Sequence, residues 1–374
     1  MPIRPELNRV AEARLRNQCL IGHGFAAAEE VVKWLGAVQA QDYPGAKWAL
    51  ALRMAPTTDA EVERAFADGR ILRTHVMRPT WHFVTPADIR WMLALTAPRV
   101  RATLASYDRK LGIDAAVIAR SNKAIAAALR GGAQLTRQEL KVVLQKSQVR
   151  TDSVQRLAHL TIHAELDGII CSGALRGKQF TYALLDERAA ANRPLSRDEA
   201  LAELTRRYFT SHGPAQIQDF VWWSGLKASD ARAGLEMARH DLAEDVIDGK
   251  RYWFPASMRS AGRARRQSAH LLPLYDEYLI AYRDRTASLD PELWTRIARR
   301  DPFSASILVN GRVVGGWRRT LRAKEVAIAL DVPRRLNNSD KRLLGDAARR
   351  FSDFLGLSAV IFPSLISHRS IPHP

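Results

Sequence analysis

The chain has 374 residues, 47% of them hydrophobic and 26% charged, and a net charge of +18 that rests mostly on arginine. This composition excludes a disordered chain, and the length predicts two or three domains with packed cores. So large a positive excess points to a polyanionic partner, and arginine pairs with phosphate through a planar fork.

From the N-terminus, helices are predicted near Glu6 to Gln18, Ala26 to Gln39 and Asp59 to Asp68, followed by a hairpin over Ile71 to Phe83 that turns near Met77-Arg78-Pro79. A second set is clearer. A short helix over Asn122 to Arg130 is closed by Gly131 and Gly132, and Thr136-Arg137-Gln138-Glu139 reads as a capping box that opens a helix to about Ser147. Asp152 or Ser153 can cap a third helix with Leu157, Leu160, Ile162 and Leu166 mostly on one face, and Gly168 ends it. Two strands, Ile169 to Ser172 and Gln179 to Leu184, then flank a basic tip. In the next set Ser196-Arg197-Asp198-Glu199 is another capping box, opening a helix to about Thr210. Pro214 is placed in the first turn of a second helix that carries Trp222 and Trp223 and stops at Gly225. Ser229 can cap a third helix, and Asp248-Gly249 marks a tight hairpin.

Three helices and a hairpin, met three times, give the winged-helix order. The predicted fold is therefore mainly α with β-hairpins (α+β): three tandem winged-helix units and an α+β C-terminal region. The expected divisions are 1–115 with its following helices, 116–192, 193–258, and 268–374, with Arg259 to Arg266 as a basic linker. In the last region His270 to Tyr282, Ile307 to Trp317, Glu325 to Leu330 and Ser358 to Phe362 read as strands, and Asn338 to Leu355 as a helix. No stretch approaches the roughly 20 apolar residues of a membrane span. The N-terminal residues lack the apolar core of a signal peptide, and Cys19 and Cys171 have no metal-ligand spacing, so a cytoplasmic, nucleoid-associated protein without metal or cofactor is expected.

Phosphate-cradling loops, dinucleotide fingerprints, paired-cysteine motifs and nucleophile elbows are missing. His75 and His82 flank the first hairpin turn, and ordinary hydrogen-bonded histidines are the better reading. The segment Gln39-Ala40-Gln41-Asp42-Tyr43-Pro44 stands out. Pro44 disfavours helical geometry at Tyr43, so the chain should unwind around Gln41 or Asp42. If it is extended, Gln39 and Gln41 project to the same side; a continued helix would set them on nearly opposite faces. Spacing alone favours a polar helix end. Asp42 is open to two kinds of role, as a catalytic charge or base, or as a backbone cap or partner of Lys47 or a nearby arginine. Arg176 and Lys178 on the second wing, and Lys250 and Arg251 on the third, are candidate phosphate contacts. The turn Asn310-Gly311-Arg312, with Arg318, Arg319 and Arg322 behind it, is either a groove probe or an ordinary surface hairpin.

The run Gln39 to Trp48, then Arg73-Thr74-His75 and Arg78-Pro79-Thr80-Trp81-His82, resembles the AlkZ/YcaQ family of winged-helix DNA glycosylases. His212-Gly213-Pro214-Ala215 with Asp219-Phe220 and Trp223-Ser224-Gly225-Leu226, and Leu272-Pro273-Leu274-Tyr275-Asp276, are similar to later parts of that family. The resemblance implies a C-shaped array around a positive channel for duplex DNA. It implies excision of bulky N7-alkylguanine, including unhooking of interstrand crosslinks, often in producers of DNA-alkylating natural products. Gln39 and Gln41 match the Gln-x-Gln branch as its catalytic pair, and a catalytically important hairpin matches Ile307 to Trp317, which implicates Asn310, Gly311, Arg312, Arg318 and Arg319 in DNA contact. A monomer acting on double-stranded DNA with alkylated guanine is expected. The alternatives are a non-enzymatic winged-helix regulator and, more weakly, a protein that sequesters the alkylating compound. A regulator usually joins one recognition unit to a dimer or effector domain, which three units in one chain do not suggest.

Overall fold

The structure, a computed structural model, describes residues 5–363 other than 23, 192, 261–266, 294, 296–304 and 334. The first region runs α1 (Pro5–Asn17), α2 (Ala28–Leu35), β1 (Val38–Gln39), α3 (Tyr43–Ala51), α4 (Asp59–Ala67), β2 (Leu72–His75) and β3 (Trp81–Val84). Its sheet has the order β1-β3-β2, antiparallel throughout. Two expectations need correction here. The second helix stops at Leu35, because Gly36 takes φ 82° and reverses the chain, and Val38 and Gln39 then pair with β3 as a strand. Helix α3 was not foreseen. Pro44 does unwind the preceding chain, but it also suits a helix's first turn, where its missing N–H leaves no bond unmade.

Helix α5 (Ile89–Lys110) leads to the second region: α6 (Ala115–Leu129), β4 (Leu135–Thr136), α7 (Arg137–Lys146), α8 (Val154–Leu166), β5 (Ile170–Ser172) and β6 (Thr181–Leu184). The capping box is formed: Glu139 N–H donates to Thr136 Oγ1 at 3.3 Å and Thr136 N–H to Glu139 Oε2 at 2.7 Å. Ser153 caps α8, and the three strands order β4-β6-β5. Helix α6 starts seven residues earlier than expected, since Asp114 caps it by accepting from Val117 N–H at 2.8 Å.

After α9 (Leu185–Arg188), the third region holds α10 (Arg197–His212), α11 (Ile217–Ser224), α12 (Ala228–Met237), β7 (Leu242–Ile247) and β8 (Lys250–Pro255). Pro214 lies ahead of α11 rather than in it. The helix begins beyond Gln216, whose N–H donates to Asp219 Oδ2 at 2.9 Å, and α12 is capped at Lys227, which leaves Ser229 inside its first turn.

The C-terminal region is a five-stranded sheet, β13-β12-β11-β10-β9, parallel only between β12 and β13. It comprises β9 (Ala269–Leu272), β10 (Ala305–Val309), β11 (Arg312–Leu321), β12 (Glu325–Asp331) and β13 (Ser358–Pro363), with helix Asn338–Leu355 against one face. The stretch read as one strand from His270 to Tyr282 breaks after Leu272. Asp276 accepts from Tyr278 N–H at 2.9 Å and starts a short helix, α13 (Glu277–Ile280). The expected linker falls largely outside the described residues.

The cores cross the sequence divisions. One apolar cluster joins α2, α3 and α4 to the C-terminal sheet, with Trp48 packed edge-on to Phe351 at 5.0 Å. A second joins β2 and α5 to α10, α11 and α12, and a third lies within the second region, around Ile125, Leu140, Leu160 and Tyr182. No helix among the described residues is long and apolar enough to cross a membrane.

Candidate active site and DNA-binding surface

Strand β1 sets Gln39 opposite His82 of β3. Three contacts fix the backbone there. Gln39 N–H donates to Glu277 Oε1 at 2.8 Å, Ala40 N–H to the Trp81 carbonyl at 2.7 Å, and Arg73 Nε to the Ala40 carbonyl at 3.0 Å. The Gln39 side chain is buried, and its Oε1 accepts from Arg78 at 3.3 Å. Gln41 is exposed, and its Oε1 accepts from Trp81 N–H at 3.5 Å. Both oxygens are thus turned to donors of the same hairpin, while neither amide nitrogen has a partner among the described residues. An uncharged amide with a fixed oxygen and free N–H groups can orient water but cannot take its proton at neutral pH.

Glu277 is the residue the sequence reading missed. It is wholly buried, holds Gln39 through one oxygen, and accepts from Trp223 Nε1 at 3.0 Å through the other, with His212 Nε2 at 3.7 Å. Its place is set by Asp276, which also takes a two-pronged ion pair from Arg53 at 2.8 and 2.9 Å. The family-like blocks at His212, Trp223 and Leu272 to Asp276 therefore converge beneath Gln39. No local pattern marks Glu277, because Gln39, which its side chain holds, lies 238 residues away.

Burial lowers the Arg78 pKa, against the opposing charge of Glu277. Burial and the Arg78 charge push His82 well below the ordinary histidine range, so it is neutral, with Nδ1 bonded to the Thr80 carbonyl at 2.9 Å. His75 bonds through Nδ1 to Glu165. Asp42 is half-buried beside the first turn of α3 without capping it, and Lys47 is taken by Asp59 and Glu63 at 2.8 Å each. Gln41 also borders a pocket of about 430 Å³ between the first and second regions.

The nominated DNA contacts divide. Lys178 is exposed and bonds to no described residue. Arg176 is tied to Glu139 at 2.7 Å, Lys250 to Asp284 at 2.5 Å and Arg251 to Glu244 at 3.3 Å. The Asn310-Gly311 turn is not a free tip. The Asn310 side chain accepts from Ser268 N–H at 3.0 Å, buried Gly311 receives the Tyr278 hydroxyl at 2.8 Å, and Arg312 donates to the Ala287 carbonyl at 3.1 Å. The exposed end of this sheet is the opposite one, where β11 turns into β12. There Arg318 is exposed, Arg319 is half-buried with its guanidinium 5.7 Å from the Phe351 ring, and Arg322 pairs with Glu325 at 2.6 Å.

Residues 32–354 match the family model described as DNA glycosylase AlkZ-like. The chain belongs to that family. As an AlkZ-like protein it is a DNA glycosylase, an enzyme rather than a regulator, and its partner is DNA. It is 27% identical over 318 residues to an interstrand DNA cross-link repair glycosylase of Streptomyces sahachiroi, across 81% of this chain and 85% of that protein. The solved Streptomyces sahachiroi DNA glycosylase AlkZ superposes with a TM-score of 0.80 at 24% identity, covering 95% of this chain and 99% of that one, a likeness that bears on the fold.

Proposed function

We propose that this glycosylase hydrolyses the N-glycosidic bond of bulky N7-alkylguanine in double-stranded DNA, with Gln39 and Gln41 holding the attacking water. In this reading it acts as a monomer, its helix–hairpin units 1–115, 116–192 and 193–258 and the region 268–374 gather around the duplex, and it unhooks interstrand crosslinks, in line with its Streptomyces relative, which is named for interstrand cross-link repair. Protection against a DNA-alkylating natural product is the matching biological role.

The observation that carries the reading is the clamped strand. Glu277, Trp81 and Arg73 fix the backbone on both sides of Ala40, while the two glutamine amides keep their N–H groups free. Alkylation at N7 makes guanine cationic, so it departs without a general acid. What remains is to steady the oxocarbenium sugar and to place water, which fixed dipoles can do. General-base catalysis is typically worth about 10²–10⁴-fold, so a pair of neutral amides suffices only for an activated leaving group.

The test is single-turnover excision from duplexes carrying one N7-alkylguanine or one uracil. Wild type should release the cationic base and leave uracil. Gln39→Ala and Gln41→Ala should each slow release on the order of tenfold or more while leaving the fold intact, as circular dichroism reads it. Full activity in the double variant would reject the pair, and efficient uracil release would reject the leaving-group argument.

A further inference from the structure

The pocket beside Gln41 is built from both hairpins that face each other across the first and second regions. Trp81 and Gln41 form one edge, and Phe180 and Tyr182 of the second region form the other. The Arg73 guanidinium stacks between aromatic faces, 4.2 Å from the Trp81 ring and 4.4 Å from the Phe180 ring. Its terminal nitrogens bond to no described residue, although the side chain is only 6% exposed. Arg137, from the start of α7, reaches the same space and, among the described residues, bonds only to the Tyr182 hydroxyl at 2.9 Å. Lys178 stands at the rim.

The chemistry of the walls limits the occupant. Aromatic rings and a stacked guanidinium suit a flat π-system. Unpartnered guanidinium N–H groups suit oxygen acceptors. Among the described residues the one carboxylate lining the pocket, Glu165, is already bonded to His75, so three cations stand against one engaged anion. A cationic alkylguanine ring is therefore a poor guest. At about 430 Å³ the space falls in the range of small-molecule sites rather than of a single methyl group.

We propose that this pocket receives the substituent carried on N7 and selects a planar aromatic group bearing oxygen acceptors. The inference rests on the glycosylase reading of Gln39 and Gln41, which places the reacting sugar at the pocket's edge. It assigns the bulk of the adduct to the aromatic pocket and leaves the guanine at the glutamines.

Two substrates separate this inference from the function it rests on: duplexes carrying N7-methylguanine or N7-(4-methoxyphenacyl)guanine, the latter a flat ring with two oxygen acceptors. Wild type should excise both, with higher kcat/KM for the phenacyl adduct. Arg137→Ala should cut kcat/KM for that adduct roughly tenfold, as expected for loss of a charge-assisted bond. Gln138→Trp, at an exposed position on the pocket lining, should do the same by filling it. Both variants should excise N7-methylguanine like wild type. Equal loss on the two adducts, unchanged phenacyl excision in both variants, or equal weakening of undamaged duplex binding, which would mark a phosphate site, overturns the pocket's role. If wild type excises neither adduct, the glycosylase reading at N7-alkylguanine falls and the pocket inference falls with it.

Discussion

Asp42 shows how far one residue's role can be narrowed. The sequence left it as a cap, a partner of Lys47 or a nearby arginine, or a charge or base beside the reacting sugar. Its side chain caps nothing, Lys47 is held by Asp59 and Glu63, and no described residue bonds to its carboxylate. It remains half-buried next to Gln41, at the helix end where a negative charge is favoured. A carboxylate so placed can steady a developing oxocarbenium. Because the carboxylate makes no cap and no bond that the amide would break, the nearly isosteric Asp42→Asn should keep the fold. We expect it to lower the single-turnover rate on the order of tenfold to a hundredfold while leaving DNA affinity intact. Rates and affinity both equal to wild type would leave Asp42 without a catalytic role. Gln39 and Gln41 were legible because extended chain repeats its side-chain direction every two residues, but spacing alone could not choose strand over helix. Gly36 and the pairing of β1 with β3 made that choice, and His82, the partner of Gln39, is 43 residues away.

Elements were legible where local chemistry decides them. The capping boxes at Thr136 and Ser196 and the hairpin turns at Asp248-Gly249 and Asn310-Gly311 lie where the residues place them. What a turn packs against was not legible, and that is why Asn310-Gly311 could be read either as a groove probe or as an ordinary surface hairpin. Gly249 and Gly311 both take left-handed backbone, with φ of 71° and 80°. A Cβ at Gly249 meets open space, while one at Gly311 would stand 3.0 Å from the Tyr278 hydroxyl and 3.1 Å from Ala11 Cβ. Gly249→Ala should therefore carry only the backbone strain, about 1 kcal/mol, and Gly311→Ala should lose more, roughly 2–3 kcal/mol. Urea midpoints measure both. Equal losses would mean that the Asn310-Gly311 turn is as free as the third wing, and would return it to the list of groove probes.

At the scale of the molecule, the charge of +18 announced a polyanion but not where it lies. Counting basic residues on wings treats every cation as available, and the structure shows that many are spoken for. Lys250 is tied to Asp284, which raises its pKa, and Arg312 is half-buried with its guanidinium pKa lowered by that burial. A cation neutralised within the fold displaces few of the counterions condensed on DNA when the protein binds. Lys178 has no such partner among the described residues and stands at the mouth of the pocket beside Gln41. Each phosphate neutralised contributes about 0.9 to the slope of log Kobs against log salt concentration on B-DNA. Lys178→Gln should thus flatten that slope by about one for an undamaged duplex. Lys250→Gln and Arg312→Gln should leave it within experimental scatter. Fluorescence anisotropy between roughly 50 and 200 mM salt reads the slopes directly. If Lys250→Gln flattened the slope as much as Lys178→Gln, its bond to Asp284 would have to open on DNA, and the bound duplex would extend over the third wing.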